Sequence, residues 1–87
     1  MYVYIIETSA AIGTQKGHIY NVYLSEEGAM RDFNRLREAA STPYNEVKDG
    51  VSEFDNEPGV MAGFWYGPKG GNTSAHGARL QRVWAYE

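Results

Sequence analysis

Few side chains in this sequence could do chemistry. The only imidazoles are His18 and His76, and cysteine is absent. Metal binding needs several converging ligands at a recognisable spacing; there is no H-x-x-x-H pair and no thiolate, so no metal and no cofactor are expected. Ser74 stands two residues before His76, but a nucleophilic serine needs a third group to orient its base, and none is marked. His76 as a lone loop histidine reads as solvated rather than as an acid or base. Carboxylates cluster only in a segment that reads as exposed, which suits proton transfer near neutrality poorly. No catalytic residue is assigned, and the chain is not expected to be an enzyme.

Two stretches remain that could recognise something. Residues 67–77 run Gly-Pro-Lys-Gly-Gly-Asn-Thr-Ser-Ala-His-Gly. Lys69, Gly70, Gly71, Thr73, Ser74 and His76 supply free backbone N–H groups, one cation and hydroxyls, the ingredients of a phosphate nest. The G-x-x-x-x-G-K-[ST] order is missing and no helix follows, so this is not a P-loop. A hairpin tip is the first reading, and a nucleotide or cyclic-nucleotide pocket the alternative. The second stretch is 46–57, where Glu46, Asp49, Glu53, Asp55 and Glu57 face one lysine, Lys48, for a sum of −4. The rest of the chain is then +1 against the whole-chain −3. Such a segment could stand in for nucleic-acid phosphates against an Arg- and Lys-lined channel, with Tyr44 and Phe54 as apolar anchors.

The elements that must carry these stretches follow from composition and period. At 87 residues, 43% apolar and 22% charged, the chain is a single folded domain spanning 1–87. No run approaches 18 apolar residues and no leader-like segment opens the sequence, so a cytoplasmic protein of a bacterial cell is expected, without a membrane partner. Residues 2–8 and 18–24 are β-branched and aromatic, two strands around a long loop. Ser25 before Glu26 and Glu27 predicts a helix start, and Ala29, Phe33, Leu36 and Ala40 form one apolar stripe over 26–40. Pro43 ends the helix, and 44–58 lacks a clear period and reads as an irregular loop. Residues 60–66 and 79–86 are the third and fourth strands. The expected fold is α+β, an antiparallel four-stranded sheet with one helix on a face, in the order ββαββ.

One helix covers one sheet face, so the other must meet water or a partner. Period-2 alternation sets Val3 and Ile5 against Tyr2, Tyr4 and Ile6, and the Val3/Ile5 side is the expected core. Tyr2, Tyr4, Tyr20, Arg82 and Trp84 then form a candidate anchoring surface on the uncovered side, since Tyr, Trp and Arg concentrate binding energy at interfaces. Exposed tyrosines pairing across strands would equally serve the sheet alone. A structural homodimer through this face or an edge strand is a further alternative. Residues 16–23 echo an RNA-binding aromatic strand at Lys16, Gly17 and Tyr23, but the element order and the negative charge oppose it, so direct nucleic-acid binding is not expected.

The opening strand Tyr2-Val3-Tyr4-Ile5-Ile6, the junction Tyr23-Leu24-Ser25-Glu26-Glu27, the acidic segment and the surplus of Tyr and Trp give the chain an overall style. In it the chain resembles the very small cysteine-free proteins of bacteriophages and mobile elements, anti-CRISPR proteins in particular. That resemblance implies a stoichiometric, non-catalytic inhibitor of a host defence complex such as a CRISPR–Cas effector, blocking its nucleic-acid channel or holding it inactive.

Overall fold

The computed structural model describes residues 1–9, 18–50, 58–71 and 76–86. Five strands and one helix follow in the order β1 (Tyr2–Ser9), β2 (His18–Tyr23), α1 (Glu26–Ala40), β3 (Asn45–Asp49), β4 (Val60–Pro68) and β5 (His76–Trp84). The strands form one antiparallel sheet in the order β2-β1-β5-β4-β3. The expected four-stranded ββαββ sheet is therefore corrected to five strands. The extra strand, Asn45-Glu46-Val47-Lys48-Asp49, lies in what reads as the start of the irregular acidic loop. Its one apolar residue is enough, because an edge strand packs one side of its alternation and carries charge on the rest. The glycine-rich connection is also shorter than 67–77: β4 continues through Pro68 and β5 begins at His76.

The helix forms where the apolar stripe places it. The Ser25 hydroxyl accepts from the Gly28 amide at 3.1 Å, and Glu26 and Glu27 occupy the positive end of the helix dipole. At the other end the Ser41 amide donates to the Arg37 and Glu38 carbonyls, and Pro43 prevents continuation. Ala29, Phe33 and Ala40 are the buried residues of the stripe. Beneath them lie Ile6, Phe64, Ala78 and Leu80, so the core belongs to the side of β1 that carries Tyr4 and Ile6. The expectation that Val3 and Ile5 face the core is overturned. Both sides of β1 are apolar, and the choice is made by its long-range partner: Ile6 stands opposite Leu80, and both are fully buried. Removing Ile6, Leu80 or Phe64 from water contributes about 1.5–3 kcal/mol each.

Three polar contacts set the helix's path. The Tyr23 hydroxyl donates to Asp32 Oδ2 at 2.7 Å, holding its first half to the end of β2. The Asn45 side-chain amide donates to the Ala40 carbonyl at 3.1 Å, and Arg37 clamps Asp49 with Nη2–Oδ2 at 2.6 Å, holding its last half to β3. Fixed at opposite edges, the helix lies diagonally over the sheet. The helix leaves two corners of that side uncovered, one towards the start of β1 and the end of β5, the other towards the end of β1 and the start of β5.

Candidate functional site

The first corner is built by register. Tyr2 pairs with Trp84 and Tyr4 with Arg82, so Tyr2, Tyr4, Arg82 and Trp84 all point to the helix-bearing side. Tyr4 packs against the core beside the helix, while Tyr2 and Trp84 lie outside its diagonal, 44% and 51% exposed. Their rings meet edge to face, with centroids 5.0 Å apart and planes at 85°. The Arg82 guanidinium lies over the Tyr2 ring, 4.2 Å from its centroid. Both contacts are made on the Tyr2 ring, so each narrows the rotamers open to the side chains that make it. Alternation sets the exposed Tyr86 on the same side as Trp84. The Ala85 amide donates to the Met1 carbonyl at 2.8 Å, which continues the β1–β5 ladder past Trp84. Of the candidate anchors, Tyr2, Arg82 and Trp84 are thus brought together, on the helix-bearing side rather than the uncovered one. Tyr86 was not among them; the alternation Arg82, Trp84, Tyr86 is the sequence signal that extends to it.

The second corner is a groove of about 370 Å³ whose lining includes Thr8, Tyr20, Leu36, Phe64, Tyr66 and His76. Phe64, Tyr66 and His76 form a ladder of rings along one wall, the last two with centroids 5.2 Å apart, and Phe33 meets Phe64 from within the core. Tyr20, 53% exposed, belongs to this groove and not to the Tyr2 corner. Among the described residues His76 is the one member of the candidate phosphate nest that lines it. Lys69 and Gly70 are exposed in the turn after β4, where Gly70 takes a φ of +78° that favours glycine, and the Gly71 amide donates to Pro68 at 3.0 Å. Thr73 and Ser74 lie outside the described residues.

The acidic candidates are spread and partly paired. Glu46 is exposed on β3, Asp49 is engaged by Arg37, and Tyr44 stands 81% exposed before the strand. The Arg37 hydrogen bonds hold the Asp49 carboxyl below its ordinary range. Glu53, Phe54, Asp55 and Glu57 lie outside the described residues. Strand geometry puts Asp49 about 20 Å from Trp84, beyond the ~8 Å over which exposed charges act at physiological salt. Among the described residues Asp49 and the aromatic anchors are therefore separate surfaces. Among the described residues no three His, Asp or Glu side chains converge on a common point, and no helix is long and apolar enough to cross a membrane. No family model, curated protein or solved structure matches the chain.

Proposed function

We propose that the protein is a non-catalytic binding protein that docks on another protein through the Tyr2–Arg82–Trp84 corner and acts as an inhibitor or adaptor. The observation that carries this reading is the exposed Tyr–Trp–Arg trio, with Tyr2 edge to face with Trp84 and beneath the Arg82 guanidinium. These are the residue types that dominate binding energy, and the two contacts on the Tyr2 ring favour one arrangement of them. The resemblance to anti-CRISPR proteins gives the target class: a nucleic-acid-handling defence effector of a bacterial host. The Glu46 region would act on such a target only as a second, distant contact. The experiment is binding of purified CRISPR–Cas effector complexes to the immobilised protein, wild type beside Trp84→Ala and Arg82→Ala. Truncating a central anchor should weaken binding at least about thirtyfold with the fold unchanged by circular dichroism. Binding of equal strength by the variants, or no effector bound by the wild type, would defeat the reading.

The groove supports a second reading, capture of a small planar ligand such as a nucleotide base against Tyr66 and His76. Its size falls at the low end for small-molecule sites, and rings with a few hydroxyls line it. Nucleotides should then raise the melting temperature of the wild type and not of Tyr66→Ala.

A further inference from the structure

Arg82 differs from the other arginines. Of the five in the chain, Arg31 and Arg35 approach Asp32 at 3.5 and 3.6 Å, Arg37 clamps Asp49, and Arg79 reaches Glu7 at 3.1 Å. Among the described residues no carboxylate meets Arg82. The chain has acids to spare, 11 against 8 bases, so this exposed cation is not unpaired for want of them. It rests instead on the Tyr2 ring. A ring face steadies a guanidinium without neutralising it, so its fork of N–H donors stays open to a carboxylate. The backbone beneath is fixed from both sides: Arg82 pairs with Tyr4 on β1, and its amide donates to the Gly59 carbonyl at 2.9 Å. Gly59 comes so close that a β-carbon there would collide with the Arg82 carbonyl oxygen. Gly50 and Pro58, in contrast, lie towards the other side of the sheet, where the Gly50 carbonyl sits over Gly63 and the Gln81 side-chain amide donates to the Pro58 carbonyl at 3.3 Å.

Building on the reading of this corner as a docking site, we infer that it recognises an acidic peptide segment of the partner: one Asp or Glu seats on Arg82, and an apolar side chain of the same segment lies on the Trp84 and Tyr2 rings. Charge complementarity is the argument. A positioned cation without a counter-ion, beside two rings 44% and 51% exposed, matches a single anion next to an apolar group. Single-stranded nucleic acid also stacks on Tyr and Trp, but it brings a phosphate with each base and needs a track of cations. Of Tyr2, Tyr4, Arg82, Trp84 and Tyr86, only Arg82 is cationic, and the chain as a whole is −3. A phosphorylated side chain carries close to two charges and is met by clusters of arginine, whereas one arginine suits one carboxylate.

Panning of short random peptides displayed on phage tests this, against the wild type, Trp84→Ala and Arg82→Glu, with circular dichroism as the folding check. Peptides retained by the wild type and not by Trp84→Ala should share an Asp or Glu next to an apolar residue. Arg82→Glu should select Lys or Arg in that place. For the strongest such peptide, made synthetically, Arg82→Ala should raise Kd on the order of tenfold or more, and added salt should weaken binding to the wild type more than to this variant. Replacing the acid of the peptide by Arg should abolish binding to the wild type and restore it with Arg82→Glu, an exchange that mere damage to the corner would not allow. Trp84-dependent peptides without a shared acid, or the same consensus from Arg82→Glu, would overturn the carboxylate site and leave the docking corner standing. No Trp84-dependent peptide at all, or an oligo(dT) strand bound through Trp84 in place of peptides, would overturn both.

Discussion

The six-membered ring of Trp65 lies against the α-carbon of Gly77, its cross-strand partner, so closely that a β-carbon on Gly77 would overlap the indole. This glycine is required by a neighbour and not by its backbone angles. Gly77→Ala should therefore destabilise the fold by about 1–3 kcal/mol, the usual range for overpacking, read as a lower urea midpoint with an unchanged slope. In the background of Trp65→Ala the same substitution should cost little, since the ring it collides with is gone. Equal losses in both backgrounds would show that the contact does not decide the residue.

Phe33 is the helix residue on which the core closes, 4% exposed and edge to face with Phe64 at 5.3 Å between centroids. Phe33→Ala should lose about 3–5 kcal/mol, enough to leave a domain with so few buried side chains largely unfolded. Phe33→Leu retains most of the volume and should fold with a smaller loss. Thermal unfolding of the two variants gives the order.

The Tyr23–Asp32 hydrogen bond makes stability depend on pH at both extremes. Burial, then the bond to Asp32, raises the Tyr23 hydroxyl's pKa above its ordinary value, and the same bond holds the Asp32 carboxyl's below its own. A depressed carboxyl contributes stability above its ordinary range, lost as pH falls through its folded value; a raised phenol contributes stability below its ordinary range, lost as pH rises through its folded value. Tyr23→Phe should lower the urea midpoint at neutral pH and reduce the fall of stability at both ends. A parallel offset at every pH would separate the bond from the titrations.

The helix was legible in the sequence because a local cap and a local period both name it: Ser25 before the acids, then Ala29, Phe33 and Ala40. Asn45–Asp49 was hidden because a charged edge strand with Val47 as its lone apolar residue looks the same in sequence as a loop. The side of the sheet beneath the helix was hidden for a different reason. Val3 and Ile5 are as apolar as Tyr4 and Ile6, and the pairing of Ile6 with Leu80 that breaks the tie spans most of the chain. The corner was half legible: residue types pointed to Tyr2, Arg82 and Trp84, but only the helix's diagonal course explains why Tyr4 is covered and Tyr2 is not. The groove was illegible, because β1, β2, α1, β4 and β5 must come together before Thr8, Tyr20 and His76 share a wall.

The strand order has a consequence for how the chain can be divided. Residues before Ser41 supply β1, β2 and the helix, those after Pro43 supply β3, β4 and β5, and the halves meet along the β1–β5 ladder, whose eight residue pairs make it the longest in the sheet. Each half keeps hairpin pairing of its own. A chain cut in this connection yields two complementary fragments whose reassembly is bimolecular, rising with the concentration of each. In the intact chain the same closure is a loop across nearly the whole sequence, a cost that favours the β1–β2 hairpin and the β3–β4–β5 meander forming before the sheet's centre.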